Sequence, residues 1–537
     1  MPADLVLLNG PVFTADAARS FARGVAVSKG RITTVGTESA VSERIGPHTE
    51  VVDLAGRLLT PGFQDAHVHP SSGINLLRCI LVGCRDRSEA LDKIARYSAE
   101  RPDEPWILGG GWSQDWFPRG CPSKELLDSI VPDRPVLLYN RDGHGAWVNT
   151  VALERGAVDA ATPDPDDGRI ERNADGSPQG TLHEGAAYLV EQVAPEDTID
   201  DQRQGILAGQ AYLLSKGITA WQDAHVDRET HDIYRSLATS GELVGRAVGA
   251  LWWDRHQGQE QVEAIVEMRS EPEGSYMPLT VKLMLDGVIE TGTASMLEPY
   301  VGGAGGGVGN RGIDFIAPED LDQIVVLLDS LGFSCHFHAI GDAAVRHALD
   351  SVQAARAANG WSANRHHIAH IQVIHPDDLA RFRQLGVAAN AQALWACDGG
   401  YQTELTKPVL GPERTSWQYP FGSLVRSGAF LAMGSDWGVS TADVFAQGDV
   451  AVTRSDVNDP GQPPLNADEA ISAMDLLSAF TSGSAYVNHL EADTGSLEVG
   501  KLADFAVMDR NPLEEDRLAG TRVAMTIVCG QVVYEEA

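Results

Sequence analysis

Apolar and polar positions change their spacing along this 537-residue chain, and the changes divide it into parts. Over the first sixty residues they fall in short β-rich runs: Asp4 to Asn9, Pro11 to Ala15, Gly24 to Ser28, Arg31 to Val35 and Glu50 to Asp53. Side chains alternate across a strand, so such runs read as strands, with Asn9-Gly10 and Lys29-Gly30 as hairpin-type turns. The last forty residues have the same texture in Ala503 to Asp509, Val523 to Val528 and Val532 to Tyr534, with a turn at Gly530-Gln531. Two β-rich ends around a different middle predict one small β-sandwich built from both termini.

The middle alternates strand and helix. A helix opens at Ala317-Pro318-Glu319-Asp320, runs to Leu331 and stops at Gly332. Phe333 to His338 follows as a strand, then a helix over Asp342 to Ala358 and an extended run from His366 to Gln372. His375-Pro376-Asp377-Asp378 starts another helix ending near Gly386, Val387 to Gln392 is extended, and a helix closing at Ser427 leads into the strand Ala429 to Gly434. Repeated βα units predict a parallel sheet, and their number favours an α/β fold of the distorted (β/α)8 TIM-barrel type. An open doubly wound sheet would need a phosphate-binding turn, and none is convincing. The glycine-rich run from Val301 to Gly312 precedes no helix, so it reads as a lid or a plain surface loop. The expected division is 1–60 and 491–537 for the two halves of the sandwich, and 61–490 for the barrel. A long insertion around 71–210 follows the first barrel strand, and within it 142–149 and 180–185 read as loops.

Composition narrows the partners. The net charge is −34, with 43% apolar and 22% charged residues. Such a surface repels phosphate backbones and anionic membranes, so the expected partner is a small molecule, with no nucleic acid and no membrane. The N-terminus lacks a basic n-region, no run of eighteen apolar residues occurs, and the six cysteines are scattered without a Cys-x-x-Cys pair. These features predict a reduced, cytoplasmic protein. A homo-oligomer is compatible with them.

The candidate chemistry sits at predicted strand ends, the catalytic rim of a parallel barrel. In Asp65-Ala66-His67-Val68-His69-Pro70, His67 and His69 project from one face of a strand that Pro70 stops. Lys282 lies alone in the apolar run Leu279 to Leu285, His338 and His370 end their strands, and Asp436 follows Phe430 to Ser435. Singly, each has a plain alternative: a hydrogen-bonded core histidine, a helix-capping Asp436, or Lys282 paired with Asp286 or Glu290. Six coincidences on five strand ends are a poorer account than one site. Imidazole and carboxylate suit one or two divalent cations, zinc foremost. A buried Lys282 has its pKa lowered, and its free amine can take up CO₂ as a carbamate that bridges two metals. A metal-bound hydroxide would then be the nucleophile, with Asp436 moving its proton to the leaving nitrogen.

These motifs resemble the amidohydrolase superfamily, and within it the YtcJ-like branch, amidohydrolase family 3, which includes N-substituted formamide deformylase. The resemblance rests on Pro61-Gly62-Phe63-x-Asp65-x-His67-x-His69, Lys282 in Val-Lys-Leu-x-x-Asp-Gly, His338-Ala339-Ile340-Gly341-Asp342, His370-Ile371-Gln372 and Gly434-Ser435-Asp436. It extends over Asp142-Gly143-His144-x-x-Trp147-Val148-Asn149, Met296 to Tyr300, and the tail Gly495 to Asp504. It implies hydrolysis of a non-peptide C–N bond. His67, His69, His338 and His370 would be ligands, Lys282 a carbamylated bridge, Asp436 ligand and base, and His144 a substrate-side residue. The chain departs from the pattern at Ala369, where the family often has glutamate. His183 and His225 have no assigned role. Trp112, Trp116, Trp252, Trp253 and Trp395 are candidate pocket aromatics. The reading is a hydrolase of an N-formyl, N-acyl or other small amide. The alternatives are a cyclic amidohydrolase, a carbamate hydrolase or a deaminase on the same site, and a metal-free scaffold.

Overall fold

Eight parallel strands in chain order form the central sheet of the computed structural model, which describes residues 2–141, 143, 145–165, 168–304 and 307–536. They are β1 (Phe63–Val68), β2 (Ile218–Val226), β3 (Arg246–Trp252), β4 (Tyr276–Met284), β5 (Ser334–Ala339), β6 (His367–His370), β7 (Ala388–Ala391) and β8 (Phe430–Met433). Each pairs with the next in sequence, giving a nearly closed (β/α)8 barrel. Past the last ladder, Asp436 N–H donates to the His67 carbonyl and His69 N–H to that of Trp437, at 2.7 Å each. These bonds join the end of β1 to the segment after β8. The register sets Lys282 beside His336, Met284 beside His338 and Ala339 beside His370.

The connecting helices follow the pattern of the sequence. Pro318–Ser330 has proline in its first turn, where the missing N–H costs nothing, and Glu319 and Asp320 at its positive end. It buries Leu321, Ile324, Val325 and Leu328, an i, i+3, i+4, i+7 stripe worth roughly 1.5–3 kcal/mol per side chain. Gly332, at φ 80°, turns the chain back into β5.

Both chain ends enter one eight-stranded sheet, in the order Gln531–Glu535, Val523–Val528, Phe505–Met508, Leu59–Pro61, Leu5–Phe13, Phe21–Ser28, Arg31–Gly36, with Glu50–Asp53 beside Leu5–Phe13. Leu5, Leu7, Val25, Phe505, Val507 and Ile527 share its core. Lys29-Gly30 is the tight turn the sequence predicts. Asn9-Gly10 is not a hairpin turn. Asn9 adopts φ 65° inside a strand that continues to Phe13, and the register shifts there, a bulge in place of a reversal.

Residues Pro70–Gly209 with Gly438–Ser440 make a second compact unit. The expectation of loops there is corrected: Gly145–Val148 and Pro178–Glu184 are paired antiparallel strands of a six-stranded sheet. Trp112, a candidate pocket aromatic, packs edge-on against Trp147 in that unit's core and donates its indole N–H to the Leu138 carbonyl.

Candidate active site

Three strand ends and the turn after β8 bring the site together. His67 Nε2 and His69 Nε2 lie 3.3 and 3.4 Å from the same oxygen, Asp436 Oδ1. Ligand atoms at 2.0–2.2 Å from a tetrahedral cation stand about 3.3 Å apart, so the spacing fits a shared metal. The His370 ring lies 4.8 Å from that of His67 and 4.3 Å from that of His338, centroid to centroid. His370 and Asp436 both hold positive φ, 72° and 54°, although neither is glycine. Such conformations cost on the order of 1–3 kcal/mol and persist only where surrounding bonds enforce them. Here His370 N–H donates to Gln392 Oε1 at 2.6 Å, and Asp436 N–H to the His67 carbonyl.

Charge follows burial. Burial pulls His67 down to about 3 and His370 well below its ordinary range, so both imidazoles are neutral, as ligands must be. Burial pushes Asp436 up, but in the metal-free protein hydrogen bonds with His67 and His69 outweigh it and hold the carboxyl well below its ordinary range. Lys282 is fully buried, and burial pulls its ammonium down to about 7 against the attraction of Asp436. Neither alternative partner claims it. Asp286 accepts backbone N–H groups from Ser295, Ile340 and Gly341, and Glu290 accepts the Thr406 hydroxyl. Burial also pushes Asp286 up to about 7, and its Oδ1 lies 3.6 Å from His338 Nε2.

Two other groups of His, Cys, Asp and Glu donors occur among the described residues, and arginines hold both. In the group of Cys121, Glu171 and His183, Arg169 donates through Nε and Nη2 to the Glu171 oxygen that faces His183. In that of His231, Asp232 and Glu271, Arg235 and Arg228 sit on Glu271. A guanidinium already supplies the positive charge in each. Among the described residues no arginine pairs with Asp436, and the ammonium that its charge favours is that of buried Lys282.

Trp437 was missed in the sequence, and Asp65 and His225 were named there without a role. Asp65, pushed up to about 7 by burial, accepts from the N–H groups of His67 and Ser435 and ties β1 to the turn after β8. Its alternation with His67 was the available signal. His225 stacks on Trp252 at 4.3 Å and is pulled down to about 4 by burial, then by His69. Trp437, next to Asp436, lies against Tyr212 at 4.6 Å. Trp253 is buried. His144 lies outside the described residues.

A parallel barrel with an imidazole–carboxylate cluster at its strand ends defines a metal-dependent hydrolase scaffold. The model of the Amidohydrolase family matches residues 50–534, and the chain belongs to that family. It is 31% identical to Protein LONG AFTER FAR-RED 3 of Arabidopsis thaliana, over 99% of this chain and 92% of that protein. It is 27% identical to N-substituted formamide deformylase of Arthrobacter pascens, over 99% and 98%. An uncharacterized metal-dependent hydrolase of Pyrococcus furiosus superposes with a TM-score of 0.73 at 26% identity, covering 95% of this chain and all of that one. Family and fold make the protein a hydrolase of C–N bonds and imply a divalent metal. No helix among the described residues is long and apolar enough to cross a membrane.

Proposed function

We propose that the protein hydrolyses a small non-peptide amide, of the N-formyl or N-acyl class, at the cluster of His67, His69 and Asp436. The observation that carries this reading is the pair of imidazole nitrogens 3.3 and 3.4 Å from one carboxylate oxygen that no guanidinium among the described residues pairs with. The residues fit a divalent cation, zinc by donor type: two imidazole nitrogens, one ionised carboxylate, and spacing that matches tetrahedral edges. His338 and His370 would hold a second cation, with Lys282, as a carbamate, bridging the two. When bound, the metal lowers the pKa of a water and polarises the amide carbonyl.

The chain's own residues do the rest. Asp436, ionised and beside the cluster, takes the proton of the attacking water and passes it to the leaving nitrogen. The amine can leave only once that nitrogen is protonated. His225, stacked on Trp252, and Trp437 offer aromatic surface for the nitrogen substituent. The similarity to an N-substituted formamide deformylase supports the formyl or acyl choice over a deaminase or cyclic amidohydrolase. A cytoplasmic location fits the reduced cysteines. Metal analysis together with a hydrolysis screen over N-formyl, N-acyl, ureido and ring-amino compounds tests the proposal. Turnover of ring-amino compounds alone would replace it with a deaminase, and a protein that takes up no divalent metal would end it.

A further inference from the structure

Below His67 runs a file of buried side chains that a hydrophobic barrel core does not need. His67 Nδ1 is 2.8 Å from His336 Nε2, and His336 Nδ1 is 2.7 Å from Gln222 Oε1. Gln222 Nε2 donates to Asn488 Oδ1 at 3.2 Å, Asn488 Nδ2 to Gln64 Oε1 at 3.4 Å, and Gln64 Nε2 to Thr494 Oγ1 at 2.7 Å. The Thr494 hydroxyl donates to the Leu490 carbonyl at 2.9 Å. His67, His336, Gln222, Asn488, Gln64 and Thr494 are all buried, so none can turn to water for a partner.

A neutral imidazole has one N–H and one lone pair, so each bond in this file fixes the next. If His67 gives its Nε2 lone pair to a cation, its proton is on Nδ1 and must be accepted by His336 Nε2. The His336 proton is then on Nδ1 and needs an acceptor, which is the Gln222 carbonyl oxygen. That choice orients the Gln222 amide, then Asn488, then Gln64, and the file ends at a backbone carbonyl, which can only accept. His367 points its Nε2 at the same Gln222 oxygen at 3.0 Å, closer than its Nδ1 stands to the Arg365 carbonyl, 3.2 Å. A neutral His367 has one N–H and so donates to one of these two oxygens.

We propose that Gln222 and His336 are positioning residues for the metal: their one-way hydrogen bonds hold His67 as the Nδ1–H tautomer, with the Nε2 lone pair toward Asp436 and the cation. This rests on the metal reading above and deepens it. A partner on the far nitrogen of a ligating histidine typically changes metal affinity 10–100-fold. Here that partner is a second imidazole, oriented by an amide on another strand.

The test measures zinc affinity by chelator competition for the wild type, Gln222→Glu, Gln222→Met and His336→Phe, beside the melting temperature of each zinc-free protein. Gln222→Glu keeps the acceptor for His336 but gives up the N–H that Asn488 Oδ1 accepts, and is expected to bind zinc more tightly than Gln222→Met and less tightly than wild type. Gln222→Met and His336→Phe remove the acceptor and are expected to weaken zinc roughly 10–100-fold. If Gln222→Met binds zinc as tightly as wild type, or if Gln222→Glu fails equally, the positioning role is overturned while the metal site stands. A wild type that binds no zinc overturns both. Neutron diffraction of the zinc-loaded protein gives a readout independent of folding: deuterium is expected on Nδ1 of His67 and of His336. Deuterium on Nε2 of His336 would reverse the file and refute the proposal.

Discussion

Gly434 and His67 approach so closely that a methyl group on Gly434 would stand 2.6 Å from the His67 Cβ and 2.7 Å from its backbone nitrogen. The turn after β8 can carry Asp436 to the metal side of His67 only because position 434 has no side chain. Gly434→Ala is therefore expected to destabilise the protein by about 1–3 kcal/mol, the usual cost of overpacking. It should also spread the donors of the cluster. Denaturant unfolding and zinc titration check it, and an unaltered variant would refute the close approach.

Removing the Asp436 carboxylate leaves the imidazoles of His67 and His69 without the anion that unites them. Asp436→Ala is expected to lose at least one equivalent of metal and to lower turnover at least a hundredfold, since ligand and proton carrier vanish together. Asp436→Asn keeps the size but not the charge and should fall nearly as far. Metal analysis beside steady-state rates would decide it.

Lys282 offers a chemical signature as well as a kinetic one. Its buried amine, pulled down to about 7, is expected to give a carbamate carbon signal when the metal-loaded protein is equilibrated with ¹³C-bicarbonate. Lys282→Ala should abolish that signal and release at least one metal. Full metal content and full rate in the variant would refute the bridging role.

A chelator should act on stability through the same cluster. A ligand that binds only the folded state adds about 2.7 kcal/mol at one hundred times its Kd. Exhaustive chelation is therefore expected to lower the melting temperature, and added zinc to restore it. In Asp436→Ala that response should shrink.

Acid should destabilise the fold through half-buried neutral histidines such as His489. His489 bonds to the Ser334 hydroxyl at 3.0 Å, and burial, then Arg365, pulls it from 6.5 to about 4. Below pH 6.5 the unfolded chain takes up a proton that the folded one refuses, so stability falls as pH drops from 6.5 toward 4. The slope from one such group is at most about 1.4 kcal/mol per pH unit. His489→Asn, which tolerates the φ of 58° there, should flatten the melting temperature's pH dependence in that window.

The strand-helix alternation of the barrel, the helix from Pro318 to Ser330 and the candidate residues His67, His69, Lys282, His338, His370 and Asp436 were legible in the chain itself. Their signals are local: periods of two and 3.6, a proline at one helix end and a glycine past the other, and polar residues closing apolar runs. The six-stranded sheet between Cys79 and Glu184 was not legible, because its strands are short and Trp112 and Trp147 meet Phe117, Ile94 and Leu127 in one core only once the chain has folded. The Asn9-Gly10 step shows the same limit, since a pair that favours reversal became a bulge once the flanking strand found partners on both sides. Arg169 and Glu171 are two positions apart on one strand, but that Arg235 reaches Glu271, and that no arginine among the described residues pairs with Asp436, could be seen only in three dimensions. The file from His67 to Leu490 joins residues more than four hundred positions apart. Hydrogen-bond direction along it is a property of the folded interior, where water is absent and every donor must find its acceptor.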